Sequence, residues 1–192
     1  MTNRLRLLAL FCLGPALGLA TPTARAQGFD FSGAHPVLLH PREGPPQRIG
    51  TVSFGPAPDG RAAFKLALDH AGFKDYFLSM REFTCLDGAT ELLCHVPYPY
   101  PQPGTVAPDQ LAWLEHSLMF MFKSPKDFGA KLWNGVYYQL KPVGSTLVGS
   151  PQAVDLNRIG APPARTDLPP FKPAWRDDMS PDARWFNKLT IE

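Results

Sequence analysis

The chain has 192 residues, 19 of them basic and 17 acidic, for a formal charge of +2. Residues 1–26 hold three of the basic side chains and none of the acidic ones, so the 166 residues that follow carry sixteen against seventeen, a charge of −1. That excludes the simplest electrostatic case for binding nucleic acid or an anionic membrane, which needs a surviving basic excess.

The first 26 residues have the form of a cleaved Sec-type signal peptide. Arg4 and Arg6 precede an apolar run from Leu7 to Ala20, and Ala24-Arg25-Ala26 has the A-x-A form of a cleavage site. The run is short for a membrane span and is broken by Gly14, Pro15 and Gly18, so no stable membrane insertion is expected after cleavage. Cys12 follows Phe11 rather than small residues and leaves with the signal. The compartment is then periplasmic or secreted, and the lack of any Asn-x-Ser/Thr sequon favours a bacterial periplasm. Residues 27–159 are expected to form one globular domain, long enough for a core of its own. The proline-rich residues 160–192 are expected to pack back on it, because Phe171, Trp175, Trp185 and Phe186 are too many large apolar groups for a solvated tail.

Prolines organise the chain. Twenty follow residue 26, clustered at 27–60, 97–108 and beyond 160, while residues 61–96 have none. Since proline lacks a backbone donor, the proline-free window is predicted to be the heart of a sheet. Within it, Phe64, Leu66 and Leu68 alternate with Lys65, Ala67 and Asp69 after an Asp59-Gly60 turn, the pattern of a half-buried strand. Residues 76–86 carry large apolar side chains on both faces and are predicted to be central. Cys85 and Cys94 are expected to form a disulfide, since an even pair in an oxidising compartment bridges and C-x8-C lacks further zinc ligands. A directly opposed pair conflicts with a two-residue Asp87-Gly88 turn and predicts a wider loop at 87–91.

Pro97-Tyr98-Pro99-Tyr100-Pro101 reads as an extended passage. Leu111, Leu114, Leu118 and Met121 then give the stripe of a core-facing helix over 108–122, with a shorter helical turn restarting at Ser124. Strands follow at 136–143 and 146–148 around Gly144-Ser145, and Ser180 to Lys188 reads as a helical turn. The predicted fold class is α+β: a strongly curved antiparallel sheet of five to seven strands packed on one main helix. The alternative is a small closed β-barrel with a helix.

No nucleophile elbow, acylation motif, phosphate cradle or metal spacing occurs, so no cofactor and no metal are expected. His35 and His40 stand five apart in a proline-flanked passage, His116 reads as a partly solvated helix residue, and the adjacency of Asp69 and His70 reads as a polar turn. Arg81 falls in the predicted central strand, where an unpaired guanidinium would be costly. It pairs there with a carboxylate such as Asp177 or Asp178, or it anchors an anionic ligand together with His95. Tyr98, Tyr100, Trp133 and Tyr137 are the candidate partner surface, because Tyr and Trp suit surfaces half-buried by a partner. The expected function is a non-catalytic exported binding or accessory protein that recognises a protein, peptide or envelope component through this surface. The alternatives are a small-molecule carrier or sensor with an anionic ligand near Arg81, and an unfamiliar hydrolase drawing on His70, His95, Asp69 or Glu82.

Overall fold

The computed structural model describes residues 28–77, 83–180 and 182–192. The predicted signal peptide, Arg81 and Glu82 lie outside the described residues.

The first three strands form a meander: β1 (Gly33–Pro41), β2 (Gln47–Pro56) and β3 (Ala62–Leu68). Between β2 and β3 the chain turns through Asp59 and Gly60, with φ of 64° and 71°. These are left-handed values that glycine adopts freely and Asp tolerates better than most residues. A 3-10 turn at His70–Gly72, capped by the Asp69 carboxylate accepting from Ala71 N at 3.2 Å, leads to β4 (Lys74–Asp75). The Asp69-His70 pair is therefore a turn, as its sequence suggested.

β5 (Thr84–Asp87) and β6 (Leu92–His95) pair with Cys85 opposite Cys94 and are joined by the disulfide. The predicted register holds, and the loop is the wider one: Gly88 N donates to Glu91 O at 2.8 Å. The proline passage then runs to β7 (Thr105–Val106), which pairs with β3. After α1 (Ala112–Ser117) come β8 (Phe120–Lys123), β9 (Gly135–Val143), β10 (Thr146–Val154), β11 (Asp177–Asp178) and β12 (Phe186–Ile191).

This arrangement overturns the predicted α+β class. The described residues form one 12-stranded antiparallel sheet, ordered β4-β5-β6-β8-β9-β10-β12-β1-β2-β3-β7 with β11 on β10, and α1 spans only six residues. The closed-barrel alternative falls too, since no ladder joins the two ends of that order. β3 and β4 are nevertheless separated in the chain only by residues 69–73 while standing near opposite ends of the sheet. The sheet must therefore curl until its ends approach.

Three elements depart from expectation for identifiable reasons. The helix stops at Leu118 (φ −111°, ψ 31°), and Phe120 and Phe122 then pack on one core while Met121 packs on another. The apolar run Leu118 to Phe122 satisfies period two as well as period 3.6, and pairing with β6 decides between them. At Ser124 the capping-box pattern yields a single turn, in which Asp127 N donates to Ser124 O at 3.0 Å. Residues 186–191 form β12 rather than a helical turn, held between β10 and β1 in the middle of the sheet.

The proline-free window is likewise displaced from the centre. β4 and β5 lie at one end of the sheet, while the central strands contain Pro36, Pro142 and Pro151. Pro142 is tolerated because β8 pairs with β9 only at Gly135 and Val136, leaving no neighbour there to receive an N–H. Pro151 sits where the β10 edge passes from β12 to β11.

Two hydrophobic clusters explain why β5 and β6 are apolar on both faces. The inner one fills the curl with Val37, Leu39, Ile49, Leu86, Leu93, Phe120, Tyr138 and Leu189, together with Leu111, Leu114 and Leu118 of α1. The outer one lies on the opposite face of β5, β6, β8 and β9, with Cys85, Leu92, Cys94, Met121 and Tyr137 roofed by Leu156, Ile159 and Phe171 of the following segment. Phe186 is buried and Trp185 half-buried, so the C-terminal residues pack on the domain.

Candidate functional site

The proline passage is pinned at both ends, by Val96 N donating to Met119 O at 2.9 Å and by Phe64 N donating to Gly104 O at 2.9 Å. It thus crosses the open side of the curl from β6 to β3. Fixed proline φ angles keep such a span stiff without internal hydrogen bonds.

Along one side of this passage runs a groove of about 470 Å³ lined by Phe83, Val96, Pro97, Pro99 and Tyr100, and on its far wall by Leu132, Leu156 and Ile159. No charged side chain lines it. Beyond Leu132, Trp133 is 63% exposed. Tyr98 turns away from this groove and joins an aromatic cluster, with Tyr100 at 5.7 Å, Trp113 at 6.0 Å and His116 at 5.8 Å between ring centroids. With His95, Gln102 and Ser117 it borders a smaller recess of about 330 Å³.

The predicted site residues therefore divide. Tyr100 lines the apolar groove, Trp133 is exposed, and Tyr98 is half-buried. Tyr137 is not a surface residue: it is fully buried in the outer core, and its hydroxyl donates to the Glu115 carboxylate. His95 is half-buried with Nε2 at 3.0 Å from Ser117 O, and burial holds its pKa below the usual imidazole value. Arg81, its proposed companion, lies outside the described residues.

On the other side of α1 is a second groove of about 810 Å³, whose polar walls include Arg61, Asp109, Glu115, Lys141, Asp167 and Arg176. Glu115 is buried, accepting from the Tyr137 hydroxyl and from Leu140 N at 2.7 Å. The Leu140 amide is free for this because β8 does not extend alongside it. Burial raises the Glu115 pKa, opposed by these two hydrogen bonds. Next to it, His116 is fully buried rather than partly solvated, as a position beside the stripe suggests. Its Nε2 accepts from Phe171 N at 3.2 Å, which leaves Nδ1 protonated and donating to Ala112 O at 2.6 Å. Its ring stacks on Phe171 with centroids 5.6 Å apart. Burial pushes the His116 pKa down to about 4, so it is neutral. These residues, with Arg176 over the Tyr137 ring at 4.8 Å, fasten the 155–176 segment to the sheet. Glu115, His116, Phe171 and Arg176 are scattered in sequence, and no spacing marked them as one cluster.

No family model, curated protein or solved structure matches this chain, so no activity comes to it by likeness.

Among the described residues, histidine, hydroxyl and carboxylate do meet at His40, Thr190 and Glu192. His40 Nε2 lies 2.9 Å from Thr190 Oγ1, which donates to Glu192 Oε1 at 3.0 Å. An ionised carboxylate can only accept, so the hydroxyl proton is committed to Glu192 and His40 must donate. That order is the reverse of a base activating a nucleophile, in which the imidazole takes the hydroxyl proton. Among the described residues, no histidine ring is hydrogen-bonded to an Asp or Glu side-chain carboxylate, and no helix is long and apolar enough to cross a membrane.

Proposed function

We propose that this chain is a non-catalytic binding protein of the bacterial envelope, exported by its first 26 residues, which holds an apolar segment of a protein or peptide partner against the proline passage. The observation that carries this reading is the groove along Pro97, Pro99 and Tyr100, lined mostly by apolar groups with no charged side chain and built on a stiff backbone. A pre-set backbone loses little entropy when a partner docks, and apolar contact then supplies the affinity. The disulfide fits an oxidising compartment. The filled interior of the curled sheet directs attention to the surface rather than to a cavity for a carried ligand.

The test places a photo-reactive benzoylphenylalanine at position 100 in the exported chain, with position 188, exposed on β12, as the control. A specific adduct at 100, lost when Pro99→Ala and Pro97→Ala are combined, is expected. Equal labelling from both positions would remove the groove as the docking surface.

A further inference from the structure

We propose that the second groove, independently of the apolar one, binds a small organic anion: a carboxylate or phosphate ester carried on an apolar body. Arg176, Arg61 and Lys141 would contact the anionic group, and Trp113 and Leu168 the body.

The argument begins with charge. Three cations and three carboxylates line the groove, yet among the described residues no carboxylate oxygen lies within 4.0 Å of Arg61, Lys141 or Arg176. Two of the carboxylates are already engaged. Asp167 is paired with Arg165, and both Glu115 oxygens accept from Tyr137 and Leu140. Burial further disfavours the ionised form of Glu115, so its negative charge offsets the cations less than a surface carboxylate would.

Arg176 is also held in place. Its guanidinium carbon lies 4.8 Å from the Tyr137 ring centroid, and its Nε is shut off from water without an acceptor. A guanidinium so held in the groove lining is matched by the paired oxygens of carboxylate or phosphate. Arg61 is likewise oriented, donating to Gln110 Oε1 at 2.6 Å. Leu111, Trp113, Pro142, Leu168 and Pro169 give the same groove an apolar wall. Its volume of about 810 Å³ falls within the range of small-molecule sites.

Isothermal titration calorimetry on the mature, disulfide-bonded chain tests this with 4-phenylbutyrate and phenyl phosphate as probes and uncharged 4-phenylbutanamide as control. Saturable binding of at least one acid is expected, with the amide weaker by about tenfold or more. Whichever acid binds more tightly identifies the head group. Arg176→Gln and Lys141→Gln should each weaken binding roughly tenfold, while Tyr100→Ala, in the other groove, leaves it unchanged. Thermal unfolding reports whether each variant is folded. If Arg176→Gln is not, Lys141→Gln decides alone, because that side chain is exposed. The proposal is overturned if neither acid binds at about 10 mM, if the amide binds as well as the acids, or if the folded charge variants bind like the wild type.

Discussion

The inner face of the sheet and the outer face of β5, β6, β8 and β9 are both buried, but by different means. Inside the curl, side chains from strands at both ends of the sheet meet the helix stripe, and the contacts are almost wholly hydrocarbon and aromatic. Outside, burial depends on a segment laid over β8 and β9 and fastened by His116, Tyr137, Glu115 and Arg176. Non-directional packing can hold the inner core wherever shapes fit. The outer core needs particular donors and acceptors, because each polar atom it buries must find a partner. That difference makes the inner face a scaffold and the outer face the side where composition, pH and redox state should be felt.

The largest effect should come from the scaffold. Leu114→Ala empties a fully buried position and should cost about 3–5 kcal/mol in chemical denaturation, with all probes unfolding together. Phe171→Ala removes a ring of similar burial, yet it should mainly open residues 160–176 to limited proteolysis ahead of global unfolding. Equal global losses without early cleavage would show that the two faces form one cooperative unit.

Next in size is the disulfide, which belongs to the outer cluster. Reduction should lower stability by roughly 2–3 kcal/mol through freedom regained by the unfolded chain. A shift in denaturation midpoint with little change in slope would agree.

The pH dependence, smallest when read per pH unit, has a defined sign. His116 titrates at about 4 when folded against 6.5 as its ordinary value, so the unfolded chain binds the extra proton in that window. Its contribution is fully present above pH 6.5 and is lost as pH falls toward 4, by at most about 1.4 kcal/mol per unit. Glu115 runs the opposite way: with its folded pKa raised, its contribution is greatest at low pH and declines as pH rises through the folded value. Comparing the pH slope of stability in His116→Gln with that of the wild type isolates the first term. Identical slopes between pH 6.5 and 4 would mean that the imidazole is not held neutral.

Local pattern was legible where one residue's chemistry has one outcome. The β3 alternation, the Gly144-Ser145 turn, the Cys85–Cys94 register and the wider loop after it all follow from neighbours in sequence or from bond geometry. Local pattern misleads where two periods fit the same residues, as from Leu118 to Phe122, or where apolar character on both faces reflects a second core rather than central position. β5 is apolar on both faces because a second core covers it, although it lies one strand from the end of the sheet. Of the candidate surface, Tyr100 lies half-buried between prolines and Trp133 is exposed. The burial of Tyr137 was not legible, since which of two adjacent tyrosines meets Glu115 depends on where α1 ends and β9 begins.

Sequence by itself determined the proline-stiffened passage, the disulfide and its register, and the turns that punctuate the first meander. Each rests on the restricted geometry of one or two residues. Tertiary structure alone decided that the last strand, Phe186–Ile191, enters the middle of the sheet, and that Glu115, His116, Tyr137, Phe171 and Arg176 assemble into one fastening beside a cationic groove. Those outcomes depend on non-local pairing and burial, energies shared among residues far apart in the chain, which no single segment encodes.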